Sequence, residues 1–525
     1  MVDPFGGHRL AIPFRSIAES LALFRSRDPQ RIAITDIDQK TGITFEQLDL
    51  ITAAISADLR GRGVRRADTV VLLANEVLEK LLLWLGIWRI GAAVCPITVE
   101  LNEAHLTFIA DLVKPKLLLI HDELDARIFE GGATLVVRFG RWQADAQDCG
   151  IYFRSLPQAT DASGDDNAPE DVAGMVCTSG TTDRPKIVVY DHGCYWLQGL
   201  DTIDMLGLTV NDRTLEYRSF GWNSAQILSL LPFLQLGLTL HIARRFSNSR
   251  FFDWIRDYRI TFAAGVPAVL NMLLNRPGAE RPDIPSLRLM SCSSAPLAPE
   301  QWAQFEKRYG ITLLQLYGMS EAGWICGNTH YKRCMGTVGP PAIHQEFAIV
   351  DGNGDPCPAN VEGEVTVGGP QTSIGLLQDD GTIAQVRGRR FKSGDLATMD
   401  DDGFVRITGR TKDLIIRGGI NVSPVEVDAV LLAHPALIDA ASLGIPDPIY
   451  GEEVIACAVL RPGAHDDESA ILEFCAGRLP LAKRPKRILF LPELPKSDRG
   501  KVLRDLLREE FLRREGFVAP GGPRP

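Results

Sequence analysis

The sequence predicts a mixed α/β fold, and three observations carry that expectation. Short apolar, β-branched runs alternate with segments of helical spacing through the first half. From Phe347 onward the pattern turns strand-rich with glycine turns, at Asp351-Gly352-Asn353-Gly354 and Asp401-Asp402-Gly403. The last hundred or so residues then alternate helix and strand again as a compact module. At 525 residues the chain exceeds one ordinary core, at about 150 residues per domain.

The elements follow in order. The first dozen residues hold Pro and Gly and read as a loose tail, after which Ile17 to Phe24 and Phe45 to Leu59 show helical spacing. Thr69 to Leu73 is a short buried strand, followed by a helix from about Val77 to Arg89 and a further strand at Lys116 to Ile120. Ser155 to Glu170, rich in Asp, Ala, Ser and Pro, is a polar connector. Val172 to Val176 and Ile187 to Tyr190 are strands on either side of a turn. Ser219 to Ala243 carries no charged residue and is long enough to cross a bilayer, which takes about twenty apolar residues. Asn223, Gln226, Pro232, Gln235, Gly237 and His241 interrupt it, so it reads as a buried helix (Ala225 to Leu231) and a buried strand (Leu238 to Ala243), with no membrane span. A charged junction at Gly409 to Asp413 leads into Leu414-Ile415-Ile416, and Gly516 to Pro525 is a Pro/Gly-rich tail. No internal repeat is visible.

With 45% hydrophobic and 23% charged residues the composition is that of a globular protein, and a net charge of −10 argues against a nucleic-acid surface, which is basic. The ten cysteines form no C-x-x-C pair or metal-like cluster and the N-terminus shows no basic-then-apolar leader, so a reducing cytoplasm is the expected home.

The chemistry starts at Cys177-Thr178-Ser179-Gly180-Thr181-Thr182-Asp183-Arg184-Pro185-Lys186. Small residues free backbone N–H groups, hydroxyls add donors and a lysine adds a compact charge, which together grip a polyphosphate. A Walker A loop is excluded, because Pro185 and Ile187 stand where it needs Gly and Ser or Thr. Glu321, after the turn Leu316 to Ser320, suits Mg²⁺, which takes one or two protein carboxylates plus phosphate oxygens. Asp395 on the glycine turn Ser393-Gly394-Asp395 can accept both hydroxyls of a ribose, with Arg410 within reach of the same sugar, and Lys501 sits on the turn Pro495 to Lys501. Taken alone, each is also an ordinary solvated turn.

In this order these strings, with Gly418-Gly419-Ile420-Asn421-Val422-Ser423-Pro424, resemble the adenylate-forming (acyl-activating) superfamily of AMP-forming acyl-CoA synthetases, peptide-synthetase adenylation domains and beetle luciferases. Ile43 to Leu48 and Gly86 to Pro96 also look like that family's N-terminal blocks, so the resemblance covers nearly the whole chain. It implies a large N-terminal domain of several subdomains, residues 1–412, and a smaller mobile C-terminal α/β domain, residues 413–525, hinged at Lys412. By the same resemblance Thr178, Ser179, Gly180, Thr181, Thr182 and Lys186 cradle the ATP phosphates, and Glu321 with Thr178 holds Mg²⁺. Ser294, Ala295 and Pro296 with Gln315, Tyr317, Gly318, Met319 and Ser320 line the nucleotide, Asp395 and Arg410 hold its ribose, and Lys501 reaches the reacting centre. Phe220, Trp222, Asn223, Val266, Met319, Gly323 and Trp324 form the acyl pocket, its two tryptophans favouring a small or aromatic acid. Arg417, Gly418 and Gly419 face the pantetheine of coenzyme A. The family places Gly where this chain has Asp183 and Ile187.

The implied reaction is ATP-dependent activation of a carboxylic acid to an acyl adenylate, then transfer to a thiol. Coenzyme A is the expected acceptor, since only 24 residues (525 minus 501) follow Lys501. The alternatives are a separate phosphopantetheinyl carrier protein or a non-catalytic nucleotide-binding relative. The expected partners are the acid, the thiol and a second copy of the chain in a homodimer.

Overall fold

The computed structural model describes residues 12–99, 101–125, 127–129, 134–143, 150–157, 167–178, 185–276, 282–497 and 501–514. The leading tail to residue 11, residues 158–166 of the connector and the tail from Gly516 lie outside the described residues.

Four sheets carry the chain. The first runs, edge to edge, Gly323–Gly327, Thr312–Met319, Leu289–Cys292, Phe262–Ala263, Arg213–Glu216, Thr239–Ile242, Ile32–Asp36 and Thr41–Thr44. Its inner pairs are parallel, from Leu289 beside Thr312 to Ile34 beside Leu240, with an antiparallel pair at each edge. A second eight-stranded sheet orders Ile383–Gln385, Gly375–Leu377, Lys186–Asp191, Val172–Thr178, Ala93–Ile97, Thr69–Leu73, Leu117–His121 and Leu135–Phe139. The third is antiparallel, Glu346–Val350, Gly363–Gly368, Phe391–Met399 and Val405–Arg410. The fourth belongs to the C-terminal module, with the long hairpin Leu437–Asp447 and Gly451–Leu460 flanked by Ile415–Arg417, Ile420–Val422 and Ile488–Phe490.

One core cluster joins the two large sheets through the helices between them. Helix Leu78–Arg89 is buried on every side, as an apolar helix enclosed by others must be. Its polar residues each have a partner: Lys80 Nζ donates to Glu76 Oε1 at 2.6 Å, Arg89 pairs with Asp49, and Glu79 accepts from the Trp142 N–H at 2.6 Å. Helix Phe45–Gly61 starts at a capping box, with Thr44 and Gln47 satisfying each other's backbone donors. It crosses Leu78–Arg89 so closely that a side chain at Gly86 would lie 2.4 Å from Ile55.

Two expectations are corrected. Ala225 to Leu231 is part of a longer helical run, Asn223–Ala225 and Leu231–Leu236, joined by a π-turn at Gln226–Leu230; the following strand is Thr239–Ile242. The strand-rich unit after Phe347 is also not self-contained. Its hairpin Gly375–Leu377 and Ile383–Gln385 leaves for the second sheet, where Leu377 pairs with Ile187.

Candidate active site

The C-terminal ends of the parallel strands of the first sheet converge at one edge, the place where open α/β sheets bind ligands. Phe220 to Asn223 follow strand Arg213–Glu216, Val266 follows Phe262–Ala263, Ser294 to Pro296 follow Leu289–Cys292, and Gln315 to Met319 end Thr312–Met319. Gln315 lies opposite Cys292 in the sheet and its Nε2 donates to the Ala295 carbonyl at 3.5 Å. Ser294 has φ +75°, a left-handed backbone uncommon outside glycine that aims Ser294, Ala295 and Pro296 outward at the lip of the sheet.

Three predicted nucleotide residues meet in one bonded group. Asp395 and Arg410 are cross-strand neighbours in the third sheet, and Tyr317 reaches them from the first. Asp395 Oδ1 accepts from Arg410 Nε at 2.7 Å, its Oδ2 accepts from the Tyr317 hydroxyl at 2.5 Å, and its N–H donates to Ser393 Oγ at 3.0 Å. Burial, then the Asp395 charge, pushes the Tyr317 hydroxyl well above its ordinary value, so it stays a donor. Burial pulls the Arg410 guanidinium down, but Asp395 more than offsets it and the net direction is up. The result is a carboxylate held between two donors, with lone pairs left for a diol.

The strands predicted to flank the phosphate loop, Val172–Thr178 and Lys186–Asp191, pair antiparallel, with Thr178 directly opposite Lys186 and its hydroxyl donating to the Lys186 carbonyl at 3.4 Å. Ser179, Gly180, Thr181, Thr182, Asp183 and Arg184 lie outside the described residues. Ile187 is 1% exposed and packs in the core beside Val71 and Cys95, so this departure from the family pattern fills the sheet interior. Glu321 is half-buried on the turn between Thr312–Met319 and Gly323–Gly327, a turn fixed by the Tyr190 hydroxyl donating to the Ser320 carbonyl at 2.6 Å and the Ser373 N–H donating to the Glu321 carbonyl at 2.9 Å. A cleft of about 400 Å³ opens there, lined by Met319, Glu321, Arg389, Arg390 and Lys392. The three cations were missed in the sequence, although the run Arg387-Gly388-Arg389-Arg390-Phe391-Lys392 just before Ser393 is a local charge signal. Among the described residues no cluster of three His, Cys, Asp or Glu could hold a metal ion alone. Glu321 with the Thr178 hydroxyl nevertheless suits Mg²⁺, whose remaining ligands are phosphate and water.

The residues predicted to line an acyl pocket divide into two kinds. Phe220 and Trp324 are packed into the core, the Trp324 indole N–H donating to Thr202 Oγ1 at 2.9 Å, whereas Trp222, Val266 and Met319 are half-buried. Gly318 has no room for a side chain, since a Cβ would sit 2.3 Å from the Gly323 carbonyl oxygen. Gln198, on helix His192–Leu206, connects Asn223 to Gly323 and was not anticipated.

In the C-terminal module Lys501 is exposed on a hairpin closed by the Lys496–Val502 bridge, its carbonyl accepting from the Ser497 N–H at 2.8 Å. Lys412 lies in the 3₁₀ turn Thr411–Asp413. Arg417 is held by Glu453, Nε to Oε1 at 2.5 Å, with its guanidinium 4.5 Å from the Tyr450 ring centre. Gly418 and Gly419 both have positive φ, +59° and +82°, and open space stands beside Gly419.

A family model described as AMP-binding enzyme matches residues 23–377, and one described as AMP-binding enzyme C-terminal domain matches 426–501. An oxalate–CoA ligase of Arabidopsis thaliana is 30% identical, covering 92% of this chain and 96% of its own. A 2-succinylbenzoate–CoA ligase of Geobacillus kaustophilus is 30% identical, covering 91% and 95%. Among solved structures, ATP-bound MatB from Rhodopseudomonas palustris superposes with a TM-score of 0.84 at 25% identity, covering 95% of this chain and all of that one.

Proposed function

The chain belongs to the AMP-binding enzyme family and is an AMP-forming acid–CoA ligase, and from that premise we propose how its residues divide the work and which acids it takes. The observation that carries the assignment is the Tyr317–Asp395–Arg410 group, which ties two sheets together, with the Glu321 turn that follows Tyr317 bonded through Ser320 to Tyr190 of strand Lys186–Asp191. Asp395 and Arg410 take the ribose. Gln315 to Ser320 and the lip at Ser294 to Pro296 take the base. Thr178, Lys186 and the loop between them take the β- and γ-phosphates, and Glu321 with Thr178 would hold Mg²⁺. When bound, that ion supplies positive charge to the phosphates.

In the first step an acid oxygen attacks the α-phosphorus in line and the bond to pyrophosphate breaks. Lys501 neutralises the charge that develops, a contribution worth about 10²–10³ in rate for one such donor. The adenylate is a mixed anhydride, so the thiolate sulfur of CoA then adds to its carbonyl carbon and AMP leaves. Residues 413–525, turning about Lys412, alternate the Lys501 hairpin with the Gly418–Gly419 turn; the glycines leave room for a pantetheine arm. Arg417, already bonded to Glu453, positions that turn.

For the acid, the half-buried Trp222 and the packed Trp324 favour a small or aromatic one, as do relatives named for oxalate and 2-succinylbenzoate. The nine free thiols among the described residues suit a reducing cytoplasm, and no helix among those residues is long and apolar enough to cross a membrane. The test is product stoichiometry over an acid panel. AMP, pyrophosphate and one acyl-CoA should form together, with CoA outcompeting a phosphopantetheinylated carrier. ADP as product, or a best substrate beyond about twelve carbons, would refute the reading.

A further inference from the structure

Gly323 opens strand Gly323–Gly327 with φ +68°, and a side chain there would lie 2.6 Å from the side chain of Gln198. The space that glycine leaves is therefore already filled, from helix His192–Leu206. Gln198 is fully buried and doubly held, its Nε2 donating to the Gln371 carbonyl at 2.7 Å and its Oε1 accepting from Asn223 Nδ2 at 3.5 Å. Gln226 adds a second anchored amide, accepting from the Tyr195 hydroxyl at 2.5 Å and donating to the Phe220 carbonyl at 2.7 Å. On the acyl-site placement proposed above, these groups stand where a pocket for an alkyl chain would need apolar side chains. A buried amide is costly unless bonded, and two oxygens of this layer, Asn223 Oδ1 and Gln371 Oε1, have no hydrogen-bond partner among the described residues.

We propose that Gln198 is the specificity-determining residue of the acyl site, setting both its depth and its polarity. The preferred acids are compact and carry a hydrogen-bonding group, such as a hydroxyl or a second carboxylate, remote from the reacting carboxylate. This rests on the acyl-site placement proposed above. By occupying the space over Gly323, Gln198 shortens the pocket. Through Asn223 it offers the far end of the acid an amide layer with unused bonding capacity. An acid that leaves that layer unmatched forfeits about ten- to a hundredfold in kcat/KM.

The experiment is acid-dependent ATP–pyrophosphate exchange with wild type, Gln198→Leu and Gln198→Ala, read as ratios within each protein so that a general loss of activity cancels. The acids are the isosteric pair 3-hydroxybenzoate and 3-methylbenzoate, and a straight-chain series from two to eight carbons. Wild type should favour the hydroxy acid about ten- to a hundredfold. Gln198→Leu should bring that ratio to near one, and Gln198→Ala should shift the chain-length optimum upward. A wild-type preference for the methyl acid overturns the proposal even if neither variant folds, as does an unchanged ratio and optimum in folded variants. Exchange with no acid at all would instead defeat the reading of the site itself.

Discussion

At the scale of single residues, the bonded group at Asp395 is where the ligand chemistry meets the fold. Tyr317→Phe removes one hydrogen bond to the buried Asp395 carboxyl group, worth about 1–3 kcal/mol, and KM for ATP should rise about tenfold in exchange kinetics. Asp395→Ala should cost more, because Arg410 then loses its carboxylate partner; both a higher KM for ATP and a lower melting temperature are expected. Asp395, Arg410 and Glu321 were legible in the sequence because each sits on a short local signal, a glycine turn or a charged junction. Gln198 was not, because an amide in an apolar helical stretch carries no local mark, and its role comes from a glycine far away in the chain.

At the scale of elements, the turn between Thr312–Met319 and Gly323–Gly327 places Glu321 and tolerates no bulk. Gly318→Ala would drive a Cβ to 2.3 Å from the Gly323 oxygen; a loss of about 1–3 kcal/mol in chemical denaturation is expected, with weaker ATP-dependent stabilisation. Gly352→Ala, at a turn with nothing within 4 Å, should stay within about 0.5 kcal/mol of wild type. Strands such as Thr69–Leu73 were readable to the residue, being fully buried β-branched and leucine runs. The π-turn Gln226–Leu230 was not, since one extra residue in a turn leaves the apolar pattern nearly unchanged. The hairpin Gly375–Leu377 and Ile383–Gln385 carries no sequence signal strong enough to single it out, and its pairing with Lys186–Asp191 shows that it extends the second sheet.

At the scale of the molecule, the core that joins the two large sheets makes stability sensitive to acid. Burial lowers His192 to about 4, against the pull of Asp171 and Asp191, and burial with Arg213 lowers His241 to about 3. Both folded-state values lie below the unfolded value near 6.5, so the unfolded chain binds more protons. Their stabilisation is complete above about pH 6.5 and is lost as the pH falls towards the folded values, by up to about 3 kcal/mol for His192 at 1.4 kcal/mol per unit. Burial raises Asp36, Glu79 and Asp201, which act in the opposite sense, so the readout is a difference. Denaturation midpoints from pH 7 to pH 4 should fall less steeply in His192→Gln than in wild type; parallel curves would contradict this. The order of motifs along the chain was enough to read the large and small units, but not the contacts that hold Gln198. In the mechanism proposed above, one site, served in turn by two faces of the C-terminal module, performs both half-reactions. The most direct measurement is Lys501→Ala assayed separately for each. The expected result is a loss of about 10²–10³ in acid-dependent ATP–pyrophosphate exchange, with thioester formation from preformed acyl adenylate and CoA within a few-fold of wild type. Undiminished exchange in that variant, or an equal loss in both half-reactions, would contradict it.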